Sequence, residues 1–182
     1  MNANDARFLL ERYMDGKDNI KADVLESVFS QNADVVFDIK PSNIYFPEII
    51  TGAKNISIEM FGEFHDKFKD VKSYYIDSDI NKLYSKKSVK NQRWLVTMIE
   101  RETLNTRIGA GYYNWFFTEE EQAKVARLEI TILDMVSFPA NENNWLLKLQ
   151  SNLLDYPWVS SIDPFKAFEQ YSELANIYQF IN

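Results

Sequence analysis

One feature constrains the fold more than any other: the spacing of apolar residues changes partway along the chain. Before residue 70 they recur every three or four positions; from residue 71 to 139 they alternate. The first spacing is that of helices with one buried face, the second that of strands in a half-buried sheet. Ala6, Leu9, Leu10 and Tyr13 share one helical face over residues 5–14, and Gly16 is the expected terminator. A second helix is expected from Asp23, with Glu26 three residues on as in a capping box and Leu25, Val28 and Phe29 as its buried face. Residues 34–40 are β-branched and aromatic up to Pro41, and 44–46 read as extended up to Pro47. After Gly52, Ile56, Met60, Phe64 and Phe68 recur every four residues in a third helix. Strands are then expected at 71–80, 93–102, 109–117 and 123–138, with polar turns at 86–92 and 118–122. Tyr74 and Tyr75 fall on opposite faces of the first of them. Consecutive strands joined by short turns make an antiparallel meander. The class is α+β, three N-terminal helices packed in a curved antiparallel sheet.

Residues 140–182 differ in kind. They hold only two basic side chains, Lys148 and Lys166, but eight aromatics. Trp145, Leu146, Leu149 and Leu153 mark one helix; Asp163 and Pro164 open another, with Phe165, Phe168, Ala175 and Tyr178 on its apolar stripe. One-sided stripes need a surface to cover. A chain of 182 residues therefore divides into a domain at 1–139 and a docked helical C-terminal extension at 140–182.

The charge balance narrows the partners. Twenty Lys and Arg against 27 Asp and Glu leave a net charge of -7, which argues against nucleic acid or an anionic membrane surface. No window approaches the ~18 uninterrupted apolar residues of a membrane span. The absence of cysteine excludes disulfides, thiolate metal ligands and thiol nucleophiles. It also fits a reducing compartment. MNANDARFLLERYM lacks the basic run, apolar stretch and small-residue cleavage site of a secretory leader, so a cytoplasmic location is expected.

Three stretches carry a family resemblance: VLESVFSQNADVVFD at 24–38, GAKNI at 52–56 and KVARLEI at 124–130. With the element order they resemble the SnoaL-like group of the nuclear transport factor 2-like superfamily, over about residues 5–138. The resemblance implies a cone-like half-barrel, a sheet wrapped around the helices, whose open end is a ligand pocket. It also implies a homodimer through the outer sheet face. Unrelated activities share that fold, so it does not name a function. An extension across the cone mouth would be a lid with Trp158 against the ligand. Covering the outer sheet face is the commoner need and is the expected position.

The resemblance also suggests site residues. Ketosteroid isomerase, a member of this superfamily, places a catalytic Asp near Asp38 and a hydrogen-bond-donating Tyr in a context like Arg12-Tyr13; the partner donor falls near Asn114. A desolvated Asp38 would be a general base and Tyr13 an oxyanion donor. By ungapped spacing from Ala33, however, Phe37 takes the Asp position, and a one-residue slip in a strand reverses the face. The alternatives are a solvent-facing Asp38 at a strand end and a core tyrosine at 13. His65, the only histidine, is the only imidazole base; its other reading is an exposed residue at a helix end. Tyr75, Trp94, Tyr113, Asn114, Trp115 and Glu129 are the candidate ligand-pocket residues, and an equally open use of such aromatics is a dimer interface. Arg93, Arg101 and Arg107 lie on strands, where an inward guanidinium would grip a carboxylate and an outward one would be solvent face. Gly109-Ala-Gly111 reads as a strand start or bulge. No spacing points to a metal, and the expected chemistry needs no cofactor. The functional expectation is a pocket for a small hydrophobic molecule, used for binding or for cofactor-free isomerase or lyase chemistry; the alternative is a non-catalytic interaction module.

Overall fold

The computed structural model describes residues 1–139, 143–153 and 155–182. The side chains of Trp145 and Leu146, assigned to the stripe of the extension, lie outside the described set. Helix α1 (Ala3–Asp18) starts at a capping box: Asn2 Oδ1 accepts from the Asn4 and Asp5 amides, and the Asp5 carboxylate accepts from the Asn2 amide at 2.7 Å. The helix continues through Gly16, against expectation. A Cβ on Gly16 would lie 2.9 Å from the Leu25 amide nitrogen, so this glycine serves close packing against α2 (Ala22–Val28) rather than termination. Lys21 precedes α2 with no side-chain cap, and Asp23 sits in its first turn.

Strand β1 (Phe29–Ile39) follows, then an irregular connection, β2 (Ile49–Thr51) and α3 (Ala53–Lys67), which kinks at Gly62. Residues 44–46 belong to the connection and not to a strand. Both edges of β1 are already taken, by β2 and by β7. The meander is β3 (Phe68–Tyr75), β5 (Ser88–Glu100), β6 (Thr106–Phe117) and β7 (Val125–Phe138); α4 (Ile80–Leu83) and β4 (Tyr84–Ser85) interrupt it after β3. The sheet order is β2-β1-β7-β6-β5-β3, with β4 on β5. All pairs are antiparallel except β1 and β7, which run parallel with Val35 opposite Leu128 and Phe37 opposite Ile130.

Bulges bend this sheet around the helices. The register shifts between Lys69 and Lys72, between Val89 and Gln92, and between Ala110 and Gly111. Asp70 and Asn91, inside two of those shifts, adopt φ of +52° and +56°. At Gly111 a Cβ would lie 1.9 Å from the Thr131 carbonyl oxygen, and the Trp94 ring from the opposing strand packs into the space. The architecture is α+β with a curved, unclosed sheet.

Alternation then builds two cores. The concave face joins α1–α3 around Tyr13, Leu25, Trp94, Trp115 and Leu128. On the convex face, Tyr74, Ile76, Leu95, Ile108, Ala110 and Phe138 meet the extension. The extension comprises α5 (Asn143–Asn152), 3₁₀ segments Asp163–Gln170 and Ser172–Leu174, and α6 (Ala175–Ile181). Phe165, Phe168, Leu174 and Ile181 are fully buried there. Residues 156–159 also cover the free edge of β3: the Tyr75 amide donates to Pro157 and the Val159 amide to Tyr75, at 2.7 and 2.9 Å. Among the described residues no helix is long and apolar enough to cross a membrane.

Candidate functional site

The concave face does not pack solid. A cavity of about 60 Å³ remains inside the cone. Phe37 from β1, Ile130 and Ile132 from β7, Tyr113 from β6, Trp94 and Val96 from β5 and Met60 and Phe64 from α3 supply its mostly apolar wall. Tyr13 and Lys17 of α1 and Ser73 of β3 make its polar end. Outside it lies a groove of about 420 Å³ at the mouth of the cone, between the 42–47 segment, α3 and the ends of β5 and β6. Ile44, Phe46 and Phe64 line both spaces, so they form the partition. Phe46 stacks on Phe37 at 4.6 Å between centroids and leans on Phe64.

The polar end is an ion pair that α1 carries inward. Lys17 lies four residues after Tyr13, in phase with Leu10 and Ala6, so its side chain follows the buried stripe. It is 10% exposed and Asp18 is 2% exposed. Lys17 Nζ donates to Asp18 Oδ1 and, at 2.6 Å, to Ser73 Oγ. Asp18 Oδ2 accepts from the Ser73 amide at 2.6 Å and from the Tyr156 hydroxyl at 2.9 Å. An edge-strand amide and a residue of the extension thus supply the donors that a buried carboxylate requires.

Beside this pair stands His65. The residue is 9% exposed, its Nε2 is buried without a partner, and its ring contacts Phe61 and Phe64. Its pKa is lowered, first by burial and then by the Lys17 charge; the Lys17 carbonyl and Asp18 act in the opposite sense. The imidazole is therefore neutral near pH 7. Tyr13 is fully buried and its hydroxyl has no hydrogen-bond partner of good geometry. Burial, followed by neighbouring Tyr113 and Tyr75, pushes its pKa far up, so it remains a neutral phenol able to donate.

Of the residues marked from sequence, Tyr13, Trp94 and Tyr113 line the cavity and His65 adjoins its polar end. Trp115 and Tyr75 are core behind it: Trp115 meets Tyr13 edge-on at 4.9 Å, and the Tyr75 hydroxyl donates to the Leu10 carbonyl. Asp38, Asn114 and Glu129 are not at the cavity. Phe37 takes the inward position, so alternation turns Asp38 out, where it is 56% exposed and paired with Lys40. Asn114 and Glu129 face each other across β6 and β7 on the convex side, Asn114 Nδ2 donating to Glu129 Oε2. Arg93 holds Asp77 and donates to the Phe180 carbonyl. Trp158 sits at the β3 edge, donating to Glu11 at 2.7 Å with Arg7 4.2 Å over its ring, away from the cavity wall. Lys17, Asp18, Ser73 and Tyr156 escaped the sequence reading. The i+4 phase of Lys17 on the Tyr13 stripe was the signal that could have found the first of them.

No family model matches the chain, and no curated protein matches it in sequence. Solved structures do match in shape. A hexachlorocyclohexane dehydrochlorinase, LinA type 2, superposes with a TM-score of 0.59 at 13% identity, covering 71% of this chain and 84% of its own. A nuclear transport factor 2-like superfamily protein from Salmonella enterica serovar Typhimurium LT2 gives 0.56 at 11% identity, covering 70% and 88%. A provisionally assigned scytalone dehydratase from Novosphingobium aromaticivorans DSM 12444 gives 0.54 at 16%, covering 73% and 85%. In its curved sheet, its enclosed helices and the structures it superposes on, the chain has the nuclear transport factor 2-like fold.

Proposed function

We propose that this chain binds a small hydrophobic molecule inside the cone and moves a proton on it without a cofactor, as an isomerase or lyase does. The observation that carries this reading is the convergence of a buried charge and a spare donor on an otherwise apolar cavity: Lys17 and Tyr13 at one end, Phe37, Trp94 and Ile130 at the other. Charges held in a dry site act on developing charge far more strongly than in water. Lys17 and the Tyr13 hydroxyl would stabilise an enolate-like oxygen. His65, kept neutral by burial, is the proton acceptor of this reading, and the Asp18 carboxylate steadies the cation that results. Asp38, paired with Lys40 in solvent, is not given that role. The names of the structural neighbours, a dehydrochlorinase and a scytalone dehydratase, suit proton-abstracting chemistry on small molecules. The cavity of about 60 Å³ is far below the roughly 300–1,000 Å³ of occupied ligand pockets. It would enlarge by displacement of Phe46, which joins it to the outer groove.

The test has two steps. Thermal-shift screening against small cyclic ketones and aromatics should find compounds that at 100 times their Kd add ~2.7 kcal/mol, or roughly 5–10 °C in Tm. Each hit is then incubated in D₂O with the protein, and deuterium at its acidic carbon is followed by NMR. The expected result is exchange that falls ~10²-fold or more in His65→Gln. Binding without exchange would support the second reading, a binding module. No hit in the screen would overturn both.

A further inference from the structure

We infer that the molecule held by the cone carries an anionic head group, a carboxylate in the simplest case, which docks on Arg107 at the mouth while its apolar body extends toward the inner cavity. This deepens the preceding reading and rests on it. The placement of Arg107 follows from β6. Ile108 and Ala110 belong to the convex core, whereas Tyr113 and Trp115 belong to the concave one. Alternation therefore turns Arg107 into the cone, on the strand that carries the cavity residue Tyr113. It lines the outer groove, and that groove shares Ile44, Phe46 and Phe64 with the inner cavity. One ligand of modest length would span both once Phe46 swings aside.

Arg107 is only partly satisfied by the protein. Its side chain is 14% exposed, one terminal nitrogen reaches Glu100 Oε1 at 3.1 Å, and its Nε is buried without an acceptor. A guanidinium has five N–H donors in a planar fork that matches a carboxylate two-on-two. Glu100 does not make that match: only its Oε1 meets the guanidinium, and its Oε2 accepts from the Thr103 hydroxyl. That bond and the Arg107 contact hold the Glu100 carboxyl below its usual range, so it stays charged and keeps one edge of the fork in place. The remaining edge is left for a ligand. Arg107 is the cation at which the head group docks, and Glu100 is both its anchor and a charge that an incoming anion must tolerate. The aromatic side chains Phe46, Phe64 and Phe68 along the groove fit the apolar stem behind such a head group.

The experiment compares two probes alike in size, 3-phenylpropionate and its neutral amide, by calorimetry on the full chain and on Arg107→Met and Glu100→Gln. The expected result is that the acid binds the unaltered protein at least ~10-fold tighter than the amide. Arg107→Met should abolish that preference and leave amide binding within about twofold. Glu100→Gln should tighten the acid alone, because it removes a competing negative charge. A merely structural Arg107–Glu100 pair would instead lower Tm in both variants and shift both probes together, which overturns the inference. Equal binding of acid and amide to the unaltered protein also overturns it while leaving the small-molecule reading intact. Failure of both probes, together with an empty thermal-shift screen, overturns that reading as well.

Discussion

The two faces of one sheet have been put to different uses. On the convex side, Leu95, Ile108 and Phe138 meet Phe165, Phe168 and Ile181 in a core made almost wholly of hydrocarbon. On the concave side the aromatics are as large, but a void remains, and Lys17, Asp18, Ser73 and His65 are sealed in beside it. Among the buried side-chain polar atoms without a partner in the described residues, only the Tyr74 hydroxyl belongs to the convex core; Tyr13, Trp94 and Trp115 all lie on the concave side. Unsatisfied donors are costly, and a face built only for stability would avoid them. The contrast teaches that the extension frees the concave side from the task of holding the sheet. It also covers the convex face on which the expected homodimer rested.

Removing the cover is the largest test of that division. Truncation after residue 139 exposes the convex apolar face and removes the edge cap on β3. Six buried side chains at ~1.5–3 kcal/mol each come to on the order of 10 kcal/mol before entropy, comparable to a whole domain's stability. The truncated chain should be aggregated or self-associated and lack a cooperative melt; a soluble monomer with unchanged Tm would break the comparison. Next comes the buried pair. Asp18→Asn leaves Lys17 buried with half its partners and should cost ~3–5 kcal/mol in urea unfolding. Asp38→Asn, at an exposed pair, should cost ~0–1 kcal/mol. Phe168→Ala should also cost ~3–5 kcal/mol, because the convex core has little room to collapse. By contrast Val96→Ile, which grows into the existing void, should stay within about 1 kcal/mol of the unaltered protein. Tyr156→Phe removes one donor from a carboxylate and should cost ~1.5–3 kcal/mol while leaving both cores packed.

Much of this division could be read from the sequence, because strand alternation is local. Tyr74 and Tyr75 point to opposite cores as the period of two requires, and the meander runs in the expected order. What local pattern misses is what distant segments do. The parallel pairing of β1 with β7 joins strands separated by most of the meander, and no turn announces it. Gly16 has the composition of a stop signal but serves a helix–helix contact made by Leu25. Lys17-Asp18 reads as a polar helix end until Ser73 and Tyr156, 55 and 138 residues from Asp18, close over it. Asp38 illustrates the reverse case: the residue type suited catalysis, but a single step of register put Phe37 in its place.

The smallest expected effect is also the most direct readout of the concave side. His65 is the only histidine in the chain, so its ring protons give one resolvable titration by NMR. Three charged groups act on it: Lys17 and Arg101 lower its pKa, and Asp18 raises it. Burial is the largest influence, so the midpoint should lie below the ordinary value of about 6.5. Between the folded midpoint and about 6.5 the unfolded chain binds the proton and the folded chain does not, so stability rises with pH through that window. The contribution is fully present above the unfolded value and is lost as pH falls through the folded one. Lys17→Met should raise the midpoint and Asp18→Asn should lower it, each by removing one charge of known sign. A midpoint that moves in neither variant would show that His65 does not sense the ion pair. The polar end of the cavity would then be two unrelated pieces of packing, and the distinction between the concave and convex faces would reduce to a difference in how well each is filled.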